Sequence, residues 1–281
     1  MSEVDKEVKH HFDEMSRQYY NVVDATPFLY GYYHAKELSS IRAFLTSFLS
    51  KIDSTKVGDL RILDIGCATG RIIEHLQGAA PASLFVGVDL SREMIKLAKK
   101  TRRSHTEFLV GDIRNLPFRD VAFDFVYTLE VLEHLGRKLQ AIPNAVSEVM
   151  RVTRTGGFTT FESTSLWHFQ LQEILQGSLP GIHVSLLQQK NLAQYSKVYR
   201  SAPLTVAEPS HFKFVSWLIT SRGGKIETTS WVRVIPEQIF VVMNNNLIRR
   251  LLARADELLA SLPGLRRLGR EFIICSVKSS N

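Results

Sequence analysis

The residues with the clearest chemical potential lie in a short glycine-containing loop that follows an apolar strand. The stretch Ile62–Arg71 reads ILDIGCATGR and predicts a strand, a tight turn and the start of a helix. Such a turn lets a small anionic or polar ligand contact the backbone at the carboxyl end of the strand. Gly66 and Gly70 suit this turn because a side chain there would block close approach or forbid the required dihedral angles.

Two further predicted strands end in an acid. Asp89 ends the apolar run Phe85–Val88 and comes 19 residues after Gly70. A carboxylate at that point can accept hydrogen bonds from both ribose hydroxyls of a nucleoside. Asp112 follows a third run, Phe108–Val110. The three strand ends together predict a site for a nucleoside-containing ligand.

At these motifs, from about Arg61 to Ser163, the chain resembles the class I S-adenosylmethionine-dependent methyltransferases. The resemblance is closest to the group that includes the ubiquinone and menaquinone biosynthesis enzymes. It implies an α/β fold, a doubly wound, seven-stranded and mostly parallel Rossmann-like sheet with helical caps. A dinucleotide site would require G-x-G-x-x-G, whereas this loop has Gly66, Ala68 and Gly70 at alternate positions. The loop therefore favours S-adenosylmethionine over NAD as the cofactor.

The resemblance also implies a set of cofactor-binding residues. These are Asp64, Gly66, Cys67, Ala68, Gly70, Asp89, Leu90, Asp112, Ile113, Leu129 and Glu130. In this assignment the loop lines the methionine end, Asp89 binds the ribose and Leu90 packs on the adenine. Asp112 and Ile113 meet the adenine edge.

The segment Glu130–His134, EVLEH, has two interpretations. On one helical turn it would place two carboxylates and an imidazole on nearby faces, which could hold a divalent ion such as Mg²⁺. In ubiquinone O-methyltransferases and small-RNA 3′-end methyltransferases, which the chain resembles here, this motif binds a metal. Only three ligands are visible, however, and His134 could equally be structural or a general base. We therefore assign no metal site from the sequence.

A general base is the other catalytic requirement to consider. Methylation of an oxygen or nitrogen often needs a base for the acceptor's proton, and histidine has a suitable pKa. We predict His134 or His168 in this role. Methylation of an activated carbon or a free amine would need neither.

The elements that position these residues alternate between strand and helix, which predicts a parallel sheet. The predicted strands are Arg61–Ile65, Leu84–Val88, Phe108–Val110, Phe123–Thr128, Phe158–Glu162, Lys225–Val234 and a reversed final strand, Glu271–Val277. Ser91 is a plausible N-cap for the helix after the second strand. Gly156 and Gly157 are expected to end a helix over about 142–152.

Four regions follow from this pattern. Residues 1–57 predict an N-terminal helical cap, with two helices and an aromatic loop between them. The loop aromatics are Tyr19, Tyr20, Phe28, Tyr30, Tyr32 and Tyr33. Residues 58–163 form the cofactor-binding core, and 164–209 an inserted substrate cap. Residues 210–281 complete the core and contain an inserted helix near Asn246–Leu262.

Composition is ordinary for a soluble globular protein: 281 residues, 44% hydrophobic and 22% charged. No run of 18 apolar residues predicts a membrane span, and the charged N-terminus does not look like a secretory signal. Cys67 and Cys275 are the only cysteines and suggest no disulfide framework. We expect a cytoplasmic protein.

The net charge of +7 permits nucleic acid or an anionic membrane as a partner. The basic residues are scattered, so nucleic acid is not favoured. In the helix near Asn246–Leu262, Asp256 and Glu257 interrupt the basic face and there is no Trp to anchor it. We expect this helix to fold onto its own domain, as a wall of the acceptor site, rather than to bind a membrane.

The function that these features favour is methyl transfer to a small, hydrophobic or aromatic metabolite, since the predicted caps are aromatic. One alternative is a metal-dependent O-methyltransferase acting on a catechol, a quinol or an RNA 3′ end. Another is a non-catalytic scaffold that binds S-adenosylmethionine. The sequence does not indicate an oligomeric state.

Overall fold

The computed structural model describes residues 3–16, 27–101, 103–135, 141–164, 212–232, 234, 246–262, 265, 269 and 271–279. The helices are α1 (Glu3–Ser16), α2 (Pro27–Leu49), α3 (Arg71–Gln77), α4 (Arg92–Lys100), α5 (Ala141–Val152), α6 (Phe212–Ser221) and α7 (Asn246–Ser261). The strands are β1 (Arg61–Ile65), β2 (Leu84–Asp89), β3 (Thr106–Val110), β4 (Phe123–Thr128), β5 (Thr153–Thr164), β6 (Gly224–Val232) and β7 (Glu271–Lys278). Short 3-10 helices cover Ser54–Asp59 and Leu132–Leu135.

These strands form a 7-stranded sheet in the order β3-β2-β1-β4-β5-β7-β6. The first five strands pair in parallel, and β7 runs antiparallel to both β5 and β6. The chain order reverses direction across the sheet at β1 and β4, which is where ligands bind in doubly wound folds. The predicted fold class is confirmed, including the reversed final strand.

Each face of the sheet has its own apolar core because successive side chains of a strand point to opposite faces. On β1, Ile62 packs in a cluster with Ile41 and Leu45 of α2. Its neighbour Leu63 belongs to the opposite cluster, which contains Val149 of α5. Both faces of the parallel strands are therefore covered by helices, and the loops at the strand ends are left to form a site.

The structure corrects the predicted role of Gly156 and Gly157. Both lie inside β5, which begins directly after α5 and is longer than expected. A Cβ on Gly157 would stand 2.8 Å from the Asp124 carbonyl oxygen of β4. The glycine thus permits close approach of two strands and does not terminate a helix.

The predicted aromatic loop is wrong in part. Phe28, Tyr30, Tyr32 and Tyr33 all lie within α2, which starts at Pro27. Proline fits the first turn of a helix because its missing N–H would have no intrahelical partner there. Tyr19 and Tyr20 lie outside the described residues, as do 165–211, which hold nearly all of the predicted substrate cap and His168.

One face of α7 lies against the domain. Asp256 is 1% exposed, and Glu257 forms an ion pair with Lys36 of α2 at 3.4 Å. Leucines on the other face, among them Leu247, Leu251 and Leu258, are exposed. Within the described ranges, none of the helices has the length and apolar character that crossing a membrane would require.

Candidate functional site

A cavity opens at the carboxyl ends of β1, β2, β3 and β4, where the sequence predicts the cofactor. Most of the predicted cofactor residues line it: Gly66, Cys67, Ala68, Asp89, Leu90, Asp112, Ile113, Leu129 and Glu130. Among the predicted catalytic residues, His134 lines it as well. The sheet therefore gathers into one cavity residues that the sequence spreads over four strand ends.

The glycine loop is held against β2 by its own backbone. The N–H groups of Gly66 and Cys67 both donate to the Val88 carbonyl oxygen, at 2.7 and 3.0 Å. Gly66 has a φ of 78°, in the left-handed region. A Cβ at this position would come within 2.2 Å of Val131 Cγ2. Conformation and space thus both require glycine here.

Ala68 adopts a left-handed conformation without being a glycine. Its φ is 45°, and its N–H donates to Asp89 Oδ2 at 2.9 Å. Alanine in this region is strained by about 1 kcal/mol or more. The hydrogen bond to Asp89 is one contact that holds the strained turn in place beside the cavity.

Asp89 is oriented by two backbone donors. Besides the Ala68 bond, its Oδ1 accepts the Ser91 N–H at 2.8 Å. Burial raises the pKa of Asp89, and the two backbone hydrogen bonds act against that rise. A carboxylate oxygen can accept a second hydrogen bond, so both oxygens retain capacity for ribose hydroxyls. The geometry fits the role predicted for Asp89 in holding a nucleoside.

Asp112 is engaged by a residue that the sequence did not single out. Arg114 donates to Asp112 Oδ1 from Nε at 2.9 Å and to Oδ2 from Nη2 at 2.5 Å. Both side chains line the cavity. An adenine edge that meets Asp112 would therefore meet Arg114 as well.

Two predicted cofactor residues, Asp64 and Gly70, do not line the cavity. Asp64 is 1% exposed and lies beside Tyr127, its register partner on β4. Burial raises the pKa of Asp64 to about 8, while Tyr127 lowers it and Asp89 raises it further. A Cβ on Gly70 would meet the Phe108 ring at 2.7 Å, so this glycine serves packing against β3. Asp64 and Gly70 thus contribute to the packing around the loop rather than to the wall of the cavity.

Helix α1 closes one side of the cavity with apolar side chains. Val8, Phe12 and Met15 line it, and the Phe12 ring meets the His134 ring edge to face at 5.1 Å between centroids. The Ser91 hydroxyl both caps α4, accepting the Met94 N–H at 3.2 Å, and donates to Asp13 of α1 at 2.5 Å. The N-cap prediction for Ser91 is confirmed, and this residue also ties α1 to the core.

The EVLEH segment is not one helical turn. Glu130 has a φ of 52° and lies in the loop after β4, whereas Glu133 and His134 lie on the 3-10 helix Leu132–Leu135. These three donors therefore do not share one face of a helix. In the part of the chain that the structure describes, a different set of carboxylates converges: Glu37, Glu162 and Glu271.

These three glutamates were missed by sequence reasoning. Each is next to a buried apolar residue: Glu37 precedes Leu38 in α2, Glu162 follows Phe161 in β5 and Glu271 precedes Phe272 in β7. A charged residue within a buried run was the available signal, since such residues are rarely buried without a partner. Nothing in local spacing connects the three.

Comparison with known proteins agrees with this geometry. Residues 63–161 match the family described as Methyltransferase domain. A tRNA (carboxymethyluridine(34)-5-O)-methyltransferase from Arabidopsis thaliana is 33% identical over 114 residues, which are 41% of this chain and 25% of that protein. A phthiotriol/phenolphthiotriol dimycocerosates methyltransferase from Mycobacterium tuberculosis is 31% identical over 121 residues, 42% of each protein. The chain spans less than half the length of these two curated relatives.

A solved structure shares the fold over most of the chain. Magnesium protoporphyrin IX methyltransferase from Synechocystis PCC 6803, with bound SAH, superposes with a TM-score of 0.54 at 16% identity. The match covers 88% of this chain and 84% of that one. At this identity the likeness establishes the architecture.

Proposed function

We propose that this chain, whose residues 63–161 form a class I S-adenosylmethionine-dependent methyltransferase domain, transfers the methyl group of that cofactor to a small hydrophobic or aromatic acceptor. The observation that carries the proposal is the single cavity at the carboxyl ends of β1 to β4. It joins the glycine loop and Asp89 to an apolar wall made by α1. Membership of the ubiquinone-like subgroup stays a prediction.

The cofactor supplies a methyl group already activated on a sulfonium, so the protein's main task is to position the reacting groups. Asp89 would hold the ribose with its two carboxylate oxygens. Leu90 and Ile113 offer apolar contacts to the adenine, with Asp112 and Arg114 at its edge. Leu129 and Glu130 would border the sulfonium end. The strained Ala68 turn fixes Asp89 before ligand arrives, which lowers the entropy lost on binding.

The apolar side chains of the cavity favour a small apolar acceptor. Val8, Phe12, Met15, Val131 and Leu135 contribute apolar surface to the same cavity. Apolar walls with a few polar groups are typical of small-molecule sites. Because α1 crosses one side of the cavity, a folded RNA has less room than a metabolite, and we do not propose nucleic acid or a membrane as the partner.

His134 is the base that we propose for acceptors with a proton to lose. It lines the cavity and its ring is packed against Phe12. Packing of this kind restricts the ring, which favours a defined direction of proton transfer. His168, the other predicted base, lies outside the described residues.

The test is the formation of S-adenosylhomocysteine (SAH) by the full chain with a panel of acceptors: catechols, quinols, aliphatic alcohols, amines, transcribed tRNA and RNA with a free 3′ end. We expect turnover with small apolar acceptors and none with RNA. His134→Gln should lower kcat by about 100-fold or more for a hydroxyl acceptor, and should remove the acidic limb of the pH profile, while SAH affinity is kept. His75→Gln, at an exposed site on α3, is the matched control.

Two outcomes separate this proposal from the alternatives. SAH binding without turnover on any acceptor would favour a scaffold. Turnover confined to RNA 3′ ends, and dependent on an added divalent ion, would favour the metal-dependent enzyme that acts on RNA. A specific feature, the carboxylate group at Glu37, Glu162 and Glu271, keeps that second candidate open.

A further inference from the structure

Three glutamates from distant parts of the chain meet beside the cavity. Glu37 lies on α2, Glu162 on β5 and Glu271 on β7, and they are 3%, 0% and 2% exposed. One carboxylate oxygen of each lies within 4.8 Å of the others. Burying three like charges so close together is unfavourable unless protons or a cation compensate them.

A second observation concerns Glu162 itself. Its Oε2 accepts the Glu130 N–H at 3.0 Å, but its Oε1 is inaccessible to solvent and has no hydrogen-bond partner among the residues that the structure describes. An unsatisfied buried carboxylate oxygen costs more than a lost neutral hydrogen bond. The side chain is wholly buried and belongs to the converging group, so a cation bound by the group would lie next to this carboxylate.

Electrostatics agree with this geometry. Burial is the largest cause that raises the pKa of Glu162, and Glu37, Glu271, Glu130 and Glu133 each raise it further. The same four carboxylates therefore place Glu162 in a strongly negative potential. A positive charge at the centre of the group would relieve both the repulsion and the orphaned oxygen.

We propose that Glu37, Glu162 and Glu271 bind one hard divalent cation of the Mg²⁺, Mn²⁺ or Ca²⁺ class. The donor set is all oxygen, as these ions prefer. The three ligand oxygens lie within 4.8 Å of one another, so a point at their centre is at most about 2.8 Å from each, and small side-chain shifts bring all three to the metal–oxygen distances of about 2.3–2.6 Å that Ca²⁺ takes. The remaining coordination positions would be left to water or to an oxygen of the acceptor.

The position of the group suggests what the ion does. Glu37 lines the cavity together with His134, to which we assign the acceptor's proton. Resting here on the proposed function, we assign the ion to the acceptor: it would bind an acceptor oxygen and lower the pKa of its proton. This site differs from the EVLEH set considered in the sequence, and from the expectation of no metal.

The experiment uses Mn²⁺ alone as the probe. The chelator-stripped full chain is titrated with Mn²⁺, and free Mn²⁺ is followed by its electron paramagnetic resonance signal. We expect one saturable site per chain. Glu162→Gln and Glu37→Gln should each weaken binding about tenfold or more, since each removes one charged ligand. Glu227→Gln is the matched control, because Glu227 lies on β6 and pairs with Lys51 at 2.9 Å.

Glu37→Gln keeps the test usable if the wholly buried Glu162→Gln does not fold. No saturable Mn²⁺ site in the wild type, or equal binding by wild type and both variants, would overturn the proposal. The proposal would also be overturned if Glu162→Gln were more heat-stable than the wild type by the same amount with and without Mn²⁺, because protons alone would then compensate the carboxylates. SAH titration of the same wild-type sample separates the two proposals: Mn²⁺ binding without SAH binding contradicts only the proposed function, and the reverse contradicts only the metal site.

Discussion

Two neighbouring parts of the molecule are built in opposite ways. One is the cofactor edge of the cavity, with the glycine loop, Asp89 and Asp112; the other is the carboxylate group of Glu37, Glu162 and Glu271, which we propose as the acceptor edge. At the cofactor edge, acids are satisfied by nearby backbone: Asp89 accepts N–H groups from Ala68 and Ser91. In the carboxylate group, Glu162 meets Glu37 and Glu271, and one of its oxygens has no hydrogen-bond partner within the described ranges. The cofactor edge is thus preorganised by its own backbone, whereas the carboxylate group brings three buried acids together and leaves one oxygen of Glu162 unsatisfied among the described residues.

The first way to break this comparison is to disturb the loop of the cofactor edge. Gly66→Ala forces a Cβ into a φ of 78° and to within 2.2 Å of Val131 Cγ2. We expect SAH binding to be lost and the free energy of unfolding to fall by about 3 kcal/mol or more. Calorimetric titration and urea unfolding measure both.

Matched substitutions separate the causes. Gly66→Ala with Val131→Ala removes the clash but keeps the strained φ, so it should recover only part of the loss. Gly78→Ala places its Cβ in open space at a φ of −64° and should bind SAH normally. Normal binding by Gly66→Ala would show that the loop does not contact the ligand.

The sequence revealed the cofactor edge because its information is local. Loop, strand and acid follow one another within Arg61–Asp112, and the bounds predicted for β1 and β4 agree with the structure to the residue. The acceptor edge depends on long-range pairing: Glu162 and Glu271 become neighbours only through the antiparallel register of β5 and β7. The left-handed φ of Glu130, which breaks the helical turn expected for the EVLEH segment, is likewise invisible in the sequence pattern.

Removing the ribose acid should have the next largest effect. Asp89→Ala loses two charge-assisted hydrogen bonds to the ligand, and we expect SAH affinity to fall by about 2–4 kcal/mol. Glu93→Gln, an exposed acid paired with Lys96 in the same region, should leave affinity unchanged. Unaltered affinity in Asp89→Ala would remove this residue from the site.

A pH titration sharpens the contrast inside the cofactor edge. Burial raises the pKa of Asp64 to about 8, with Tyr127 opposing and Asp89 adding to the shift. The folded chain therefore keeps a proton that the unfolded chain releases above a pH of about 4. The contribution of Asp64 to the free energy of unfolding is therefore fully present below a pH of about 4. It is lost as the pH rises from there through about 8, with a slope of at most about 1.4 kcal/mol per pH unit.

Asp64→Asn removes the titrating group, so its free energy of unfolding should decline less between pH of about 5 and about 8 than that of the wild type. Urea unfolding at several pH values measures the two slopes. Parallel curves for the two proteins would mean that Asp64 is ionised in the folded state.

The smallest effect concerns the strained alanine of the loop. Ala68→Gly relieves a φ of 45° but adds freedom to the unfolded chain, so we expect a stability gain of about 1 kcal/mol or less. Ala98→Gly, at a buried position in the last turn of α4, should instead destabilise by about 1 kcal/mol. A loss of stability in both variants would show that the loop conformation is not strained.

The central claim, that the cofactor edge holds S-adenosylmethionine and not a dinucleotide, is tested most directly by titrating the wild-type chain with SAH and with NAD in a calorimeter. The account predicts one SAH site per chain that Gly66→Ala abolishes, and no saturable heat with NAD. Saturable NAD binding that excludes SAH, or no binding of SAH at all, would contradict it.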